Sequence, residues 1–164
     1  NCIVRGNLIY SPSSYGIRLF TADTLTSALV SVSDNVIDDG GDYGIYLQEV
    51  TKCNIIGNII NDSDEQGIYF SGAGRDCIIA LNQLYGCGTD GGAAAKAIDI
   101  YLPDYNLIAL NMIRANSVTT KGIHLQSGSN YNMVLDNDVV ELAAGSAIDD
   151  DGTGTVTTSG NRTA

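Results

Sequence analysis

The sequence has no tryptophan, only two prolines and two phenylalanines, and few basic residues among its 164 positions. Its 8 Lys and Arg against 19 Asp and Glu give a formal net charge of −11. Nucleic-acid phosphates and anionic lipid surfaces are bound through positive charge, so we expect neither nucleic acid nor a membrane as a partner. No run of 18 apolar residues is present, which excludes a transmembrane helix from this sequence. It also lacks a helical spacing of apolar residues and any Cys-Xaa-Xaa-Cys or Cys/His pattern for zinc.

A repeat dominates what the sequence does contain. Asparagines recur at separations of 28, 23, 24, 29, 26 and 24 residues, at Asn7, Asn35, Asn58, Asn82, Asn111, Asn137 and Asn161. A Gly-Ile-Xaa-Leu marker lies between successive asparagines, in variant forms at residues 16–19, 44–47, 67–70, 97–100, 122–125 and 147–150. A period of roughly 20 to 30 residues with short apolar alternations indicates a solenoid, in which each repeat buries its apolar face only against a neighbour.

Each repeat has three short runs of β-type residues separated by Gly, Asn, Asp and Ser, which predicts three strands per coil. Equivalent residues of successive coils are expected to stack about 4.8 Å apart. The apolar residues then form three inward columns: Ile17, Ile45, Ile68, Ile98, Ile123 and Ile148; Ile9, Ile37, Ile60, Leu84, Ile113 and Val139; and Val4, Val32, Ile55, Ile79, Ile108 and Val134. Three columns predict a three-sided prism, with the asparagine amides bonded from coil to coil along one turn.

In this repeat the chain resembles the right-handed parallel β-helix repeat family, the pectate-lyase-like superfamily, over essentially its whole length. The resemblance implies an all-β fold, a right-handed three-faced parallel β-helix (solenoid) of about six to seven coils. We expect residues 1–164 to form a single domain without caps, a fragment of a longer chain, because the first and last coils are incomplete. That superfamily includes lyases, hydrolases, epimerases, phage tailspikes and scaffolds, so the resemblance indicates a fold rather than one activity.

The Xaa side chains of the marker strands are expected to point to solvent, because their neighbours point inward. They are Arg18, Tyr46, Tyr69, Asp99, His124 and Asp149, and the next outward column is Phe20, Gln48, Ser71, Tyr101, Gln126 and Asp151. Aromatic rings beside hydrogen-bonding groups suit a sugar, which has apolar ring faces and polar edges. We therefore predict a glycan groove on this face, with ligand contacts from Arg18, Tyr46, Gln48, Tyr69, Tyr101 and Gln126.

A histidine lies between two carboxylates in the first of these columns. Asp99, His124 and Asp149 occupy successive rungs on the order of 5 Å apart, close enough for the carboxylates to raise the basicity of the imidazole. The resemblance implies that the catalytic groove of alginate epimerases and pectate lyases runs along this face, which makes these three residues and Tyr69 candidate catalytic residues. The epimerase motif Tyr-Gly-Xaa-Asp-Pro-His is matched only in its first half, at residues 43–46. Catalysis, ligand binding and a decorated solvent face therefore stay open.

Acidic residues cluster in the turns before the marker strands of the second and third coils. Adjacent loops of a solenoid lie side by side, so their carboxylates are expected to converge within roughly 10 Å. Hard oxygen ligands of this kind suit calcium, and a solvated acidic rim is the alternative. The candidate calcium ligands are Asp38, Asp39, Asp42, Asp62, Asp64 and Glu65.

The cysteines follow the same repeat. Cys2, Cys53 and Cys77 each lie five residues before a column asparagine. Cys53 and Cys77 should therefore face the same way in neighbouring coils, either as a ladder of buried thiols or as a disulfide.

Three functions fit these patterns. The first is a carbohydrate-binding β-helix domain of a secreted or virion protein that interacts with polysaccharide. The second is a polysaccharide lyase or C5 epimerase acting on an acidic glycan. The third is a structural spacer without a ligand, which presents loops or assembles end to end. Self-association through open solenoid ends or as a trimer is a separate expectation, the trimer being typical of tailspike relatives. The expected partner is a polysaccharide or glycan, and the expected location is extracellular, at a cell surface or in a virion.

Overall fold

A computed structural model describes residues 1–21, 29–89, 95–116, 119, 121–140, 146–157 and 160–163. These residues form strands, turns and bends, and none of them belongs to a helix long and apolar enough to cross a membrane. The strands are β1 (Cys2–Arg5), β2 (Leu8–Tyr10), β3 (Tyr15–Phe20), β4 (Val30–Ser33), β5 (Val36–Asp38), β6 (Tyr43–Gln48), β7 (Cys53–Ile56), β8 (Ile59–Asn61), β9 (Gln66–Ser71), β10 (Ile78–Ala80), β11 (Gln83–Tyr85), β12 (Lys96–Tyr101), β13 (Leu107–Ala109), β14 (Met112–Arg114), β15 (Lys121–Leu125), β16 (Met133–Leu135), β17 (Asp138–Val140), β18 (Ser146–Asp150), β19 (Val156–Thr157) and β20 (Arg162–Thr163).

The strands form three parallel sheets that wind in coils. Across the described residues, sheet A has seven strands in the order β1-β4-β7-β10-β13-β16-β19, and sheet B has seven in the order β2-β5-β8-β11-β14-β17-β20. Sheet C has six described strands, in the order β3-β6-β9-β12-β15-β18. Each strand therefore pairs with the one three places along the chain, as a three-faced solenoid requires. The predicted all-β parallel β-helix is confirmed.

The predicted inward columns form the core. In sheet C, one column pairs in register through Ile17, Ile45, Ile68, Ile98, Ile123 and Ile148. Central members of all three columns, such as Ile45, Ile55 and Ile60, are fully buried. Each such side chain contributes about 1.5 to 3 kcal/mol when it leaves water. The three columns are therefore the main source of stability.

The glycine of the marker is required by the same core. A Cβ added to Gly44 would lie 2.5 Å from Ile60 Cγ2 and 2.6 Å from the Gly67 carbonyl oxygen. Both contacts are too short for any side chain, and one of them is to backbone that cannot give way. Gly44 and Ile45 are both buried, while the tyrosines on either side, Tyr43 and Tyr46, are only half-buried. Because glycine has no side chain, two consecutive residues, Gly44 and Ile45, can both face inward. Tyr43 and Tyr46 then both lie on the outer surface of the strand.

The asparagine column is a continuous ladder of hydrogen bonds. Asn82 Nδ2 donates to Asn111 Oδ1 at 3.0 Å and to the Ile55 carbonyl at 2.9 Å. Asn82 Oδ1 accepts from the side-chain and backbone NH groups of Asn58, each at 3.0 Å. The same side-chain bond links each pair of neighbours among Asn7, Asn35, Asn58, Asn82, Asn111, Asn137 and Asn161. Buried backbone groups at this turn are satisfied by the amides, as the spacing predicts.

A second polar column lies at the corner between sheets C and A, and it continues the predicted pair of Cys53 and Cys77 into Asn106 and Asn132, which the sequence analysis did not predict. The backbone NH of Cys53 donates to Cys77 Sγ at 3.2 Å, and the backbone NH of Cys77 donates to Asn106 Oδ1 at 3.0 Å. Asn106 Nδ2 continues the column to Asn132 Oδ1 at 3.0 Å. Both cysteines are buried and free, so they form a thiol ladder and not a disulfide. The hydrogen bond with Cys77, together with burial, raises the pKa of Cys53 and keeps that thiol protonated.

Candidate functional site

The outer face of sheet C carries every residue predicted to bind a glycan or to act in catalysis. One column pairs in register through Arg18, Tyr46, Tyr69, Asp99, His124 and Asp149. The column beside it pairs in register through Phe20, Gln48, Ser71 and Tyr101. The strand register therefore brings these side chains onto one face, and the roles assigned to them stay predictions.

His124 stands at the centre of a cluster of carboxylates. Its Nδ1 lies 2.9 Å from Asp99 Oδ1. Its Nε2 lies 3.3 Å from Asp151 Oδ2 and 3.9 Å from Asp149 Oδ2. An ionised Asp99 can only accept, so Nδ1 carries the proton. With the proton on Nδ1, Nε2 faces the carboxylates of Asp151 and Asp149, an arrangement that could hold a proton or a cation between them.

Asp99 is held from three sides. Lys96 Nζ and Gln126 Nε2 each lie 2.9 Å from Asp99 Oδ2, opposite the bond to His124. Asp99 is 1% exposed and His124 is 6% exposed, so the expectation that these outward side chains meet solvent is wrong. The long side chains of Lys96 and Gln126 meet over Asp99, and together with His124 they exclude water from it.

Neighbouring positive groups and hydrogen bonds keep the carboxylates of Asp99 and Asp149 ionised. Burial alone would raise the pKa of Asp99, but hydrogen bonds from His124 and Lys96 and their charges hold it below its usual value. A hydrogen bond from Lys121 lowers the pKa of Asp149, against a smaller opposing effect of desolvation. Asp151 has a side chain that is 59% exposed and lies against His124 without a lysine of its own among the described residues. The cluster therefore presents negative charge at its outer rim.

Tyrosines fill the other half of the face. The rings of Tyr15, Tyr43, Tyr46 and Tyr69 stack with centroids 5.2 to 5.5 Å apart, and the Arg18 guanidinium lies 5.1 Å from the centroid of Tyr15. Because the rings stack along the solenoid axis, they cover one another's faces and present edges and hydroxyls to solvent. Burial, followed by the charge of Asp99, raises the pKa of Tyr69 to about 12. Its hydroxyl is therefore a hydrogen-bond donor at neutral pH.

The second column is partly occupied by bonds within the protein. Gln48 Oε1 accepts from Arg18 Nη2 at 3.3 Å, and Ser71 Oγ donates to Tyr46 Oη at 3.1 Å. Tyr101 is 41% exposed, and none of the ring pairs among the described residues includes it. Of the predicted ligand contacts, Tyr101 is therefore the one that offers a free aromatic face.

The acidic turns lie side by side as expected. Burial and the charges of Asp38 and Asp39 raise the pKa of Asp62, which shows that the loops of neighbouring coils are close. Asn61 Nδ2 donates to Asp38 Oδ1 at 2.7 Å, so one carboxylate oxygen is already bonded. In the part of the chain that the structure describes, three potential metal ligands come within 4.8 Å of one another only at His124, Asp149 and Asp151. Calcium at the acidic turns stays a prediction.

Three members of the cluster were not among the sequence-predicted catalytic residues. Lys96 and Lys121 pair in register one position before the first residue of their marker. The sequence analysis predicted no outward column at that position. Asp151 stood in the second outward column but was not selected. The available signal was the run of acidic residues at 149–151 opposite lysines in the neighbouring coils.

Residues 1–142 match the family model described as periplasmic copper-binding protein (NosD). The chain belongs to the NosD family. The matched segment of this chain includes Asp99 and His124, and it ends before Asp149 and Asp151. Comparison with curated proteins and with solved structures gave no match.

NosD membership confirms the resemblance to parallel β-helix repeat proteins. The description of the NosD family as periplasmic agrees, at the level of a place outside the cytoplasm, with the expected extracellular or cell-surface location. A virion location receives no support from it.

Proposed function

We propose that this NosD-family chain is a glycan-binding β-helix domain that acts outside the cytoplasm, with its ligand along the outer face of sheet C. The observation that carries the proposal is the buried pair of Asp99 and Lys96 on the outward side of the sheet, with their charged atoms 2.9 Å apart. A solenoid needs charge only at its surface, and burying an ion pair rarely improves stability over apolar residues. Perturbed, buried charges in a groove are typical of binding and catalytic sites.

The dimensions and chemistry of the face suit an oligosaccharide. Six strands at about 4.8 Å spacing give a face about 24 Å long, enough for roughly five sugar rings. Tyr46 and Tyr69 present phenol groups to ring hydroxyls, and Tyr101 presents an aromatic face. Lys121, whose side chain is 28% exposed, is paired with Asp149, so this end of the face offers polar groups to sugar hydroxyls and no unpaired positive charge from this lysine.

A glycan array followed by calorimetry with the best ligand tests this proposal. Tyr101→Ala is expected to weaken binding about tenfold, because one sugar–aromatic contact contributes on the order of 1 kcal/mol. Tyr101→Phe should keep most of the affinity, since the ring face is retained. Tyr10→Ala is the matched control, because Tyr10 lies on sheet B and is 74% exposed. Equal losses in Tyr101→Ala and Tyr10→Ala, or no glycan bound at all, would contradict the proposal and favour a structural spacer.

The enzymatic alternative uses the same face. His124, oriented by Asp99, has the arrangement of a general base, and the protonated Tyr69 hydroxyl has that of an acid. A lyase acting on acidic polysaccharide creates unsaturated ends that absorb in the ultraviolet, and a C5 epimerase changes sugar configuration without them. Turnover that disappears in His124→Ala would identify an enzyme, whereas binding without turnover would identify a binding domain.

A second candidate function is the binding of Cu(II), favoured by the lone pair of His124 that faces two carboxylates. Imidazole nitrogen with carboxylate oxygen suits Cu(II), whereas Cu(I) prefers thiolate and thioether sulfur. Cys53 and Cys77 are buried, and Cys77 Sγ already accepts a hydrogen bond from the Cys53 backbone NH, so the thiol ladder offers no open position for Cu(I). His124 Nε2, Asp149 and Asp151 would hold the ion, and Asp99 would orient the imidazole through Nδ1.

Titration with cupric chloride, followed by calorimetry and electron paramagnetic resonance, tests this second function. We expect one Cu(II) per chain with a nitrogen ligand in the spectrum, loss of that site in His124→Ala and weaker binding in Asp151→Asn. Asp136→Asn is the control, because Asp136 lies outside the His124 cluster. An unchanged spectrum in His124→Ala would contradict copper binding at this site and would leave the glycan proposal intact.

A further inference from the structure

The outer face of sheet A becomes apolar in its later coils. One outward column passes through Ile78, Leu107, Met133 and Val156, and the next passes through Ile56, Ala80, Ala109 and Leu135. In the earlier coils the first of these columns holds Ile3, Ser31 and Asn54, and the second holds Arg5 and Ser33. The outer surface of sheet A is therefore mixed in the earlier coils and continuously apolar from β10 onward.

Two leucines extend this surface at the corner between sheets A and B. Leu81 and Leu110 are each 54% exposed and have φ values of 57° and 56°. Backbone hydrogen bonds show that they occupy the same turn position as Asp34 and Gly57 in earlier coils. That left-handed conformation favours Gly, Asn and Asp and penalises leucine. Both the left-handed backbone and the solvent exposure disfavour leucine at these two positions, which is consistent with a contact outside the single chain.

Aromatic residues border the surface at the opposite corner, between sheets C and A. The rings of Tyr105 and Tyr131 stack with centroids 5.2 Å apart and interplanar angle 12°. They are 54% and 52% exposed, and both have φ values of 56°. We define the apolar face by the two columns from β10 onward together with these corner residues: Ile78, Ala80, Leu81, Tyr105, Leu107, Ala109, Leu110, Tyr131, Met133, Leu135 and Val156.

The size of the apolar face matches a protein interface. Seven of its side chains are 36% to 54% exposed, namely Ile78, Leu81, Tyr105, Leu110, Tyr131, Met133 and Val156. At roughly 100 Å² each, these side chains offer on the order of 700 Å², and partly exposed Leu107 and Leu135 bring the total near the ~800 Å² that each partner buries in a standard complex. A patch of this size exceeds what a monomer usually exposes.

The charge distribution indicates which partner fits. The chain carries a formal net charge of −11, so two copies repel each other over most of their surface. The apolar face contains no charged side chain, and Asp76 and Asp136 lie only at its corners. A basic or acidic partner would find no complementary charge on it, whereas a second copy meets an equally apolar and uncharged surface. Such self-complementary contact is typical of twofold dimers.

We propose that two copies of this chain pair through the apolar face of sheet A. The pairing leaves the face of sheet C exposed on both copies, because the two sheets are different faces of the solenoid. The resulting dimer presents two ligand faces, and the apolar face of sheet A is distinct from the His124 cluster on sheet C. An experiment that supports or contradicts this pairing therefore does not decide whether the face of sheet C binds a glycan.

Sedimentation velocity of the 164-residue chain over a range of concentrations tests the pairing. We expect a reversible monomer–dimer equilibrium that the double variant Leu81→Asp/Leu110→Asp shifts to monomer by at least tenfold in dissociation constant. Aspartate suits the left-handed backbone at both positions, so the variant should fold, and its circular dichroism and melting temperature verify this. Leu8→Asp is the matched control, since Leu8 is 77% exposed but lies on sheet B in the first coil.

Three results would overturn the pairing. One is a wild-type chain that stays monomeric at all concentrations. Another is association that Leu8→Asp abolishes while the double variant keeps it, which would indicate end-to-end stacking. The third is a trimer as the smallest assembly.

Discussion

At the scale of single residues, a side chain in this molecule is defined by its neighbours one coil before and one coil after. Asp138 illustrates this, because Arg114 Nη2 lies 2.7 Å from one of its oxygens and Arg162 Nε lies 2.6 Å from the other. These three residues are 24 positions apart in sequence yet form one bridge across three coils. The hydrogen bond from Arg114 has the largest effect and lowers the pKa of Asp138; desolvation opposes it, and the hydrogen bond from Arg162 lowers the pKa further.

The lowered pKa of Asp138 predicts how stability depends on pH. A folded-state pKa below the unfolded value of about 3.9 means that the contribution is complete above that pH and is lost as pH falls through the folded pKa. Asp138→Asn should therefore lower the melting temperature at pH 7, by an amount equivalent to roughly 0.5 to 1 kcal/mol for a part-exposed pair, and have less effect near pH 2. Thermal melts at both pH values measure this. Asp136→Asn, which removes no salt bridge of the described structure, should show no such difference, and an equal loss for Asp138→Asn at both pH values would contradict the assignment.

At the scale of structural elements, the turns rather than the strands carry the polar interactions that determine the register. The strands of sheets A and B are two to four residues long and are held by ladders at their ends. The asparagine ladder satisfies backbone groups of the coil before and the coil after, so each amide connects three coils. This arrangement explains why the spacing between asparagines varies while their position in the coil does not.

Replacing Asn82 by Leu tests the contribution of the ladder. The change removes the side-chain acceptor of the Asn58 backbone NH and a side-chain donor to the Ile55 carbonyl, and both groups are buried. It also removes one of the two donors to Asn111 Oδ1, which keeps its bond from the Asn82 backbone NH. Because more than one buried group loses its partner, we expect a loss of roughly 3 to 5 kcal/mol in the free energy of unfolding. Urea denaturation measures it. Asn7→Leu at the first, exposed rung should lose less than about 1 kcal/mol, and similar losses at the two positions would contradict a cooperative ladder.

At the scale of the whole molecule, the strand pairs of the described residues join each coil to its immediate neighbours, so the solenoid should tolerate the loss of one complete coil. Deleting residues 59–82 removes 24 residues and joins Asn58 to the residue that follows the next ladder asparagine. All three columns and both ladders keep their phase. We expect a folded β-protein with a modestly lower melting temperature, because stability in such arrays is a sum over repeats and interfaces.

Circular dichroism and limited proteolysis measure the outcome of this deletion. Removing residues 59–70 is the control, because it takes out half a coil and joins a sheet A strand to the end of a sheet C strand. That variant should be unfolded and rapidly digested. Equal behaviour of the two deletions would contradict the view that the coil is the structural unit.

The position of the candidate site could be predicted from the sequence, but the burial of its side chains could not. The marker repeat predicted that Asp99 and His124 share a column, and the strand register shows this. It did not predict that both are buried, because their burial depends on Lys96 and Gln126, long side chains whose direction a repeat pattern does not specify. The sequence analysis also predicted that the tyrosine ring faces could contact a sugar. In the structure the tyrosine rings stack on one another, so much of their face area is covered.

The period, the three inward columns and the asparagine ladder follow from the order of amino acids, because strand alternation and coil length are local properties that recur in each repeat. Three features follow from folding alone: Cys53 and Cys77 stay as thiols, His124 turns its Nε2 toward Asp149 and Asp151, and the later coils of sheet A expose an apolar face. These features depend on distances between side chains of different coils, which are set when the coils stack and have no counterpart in a single repeat.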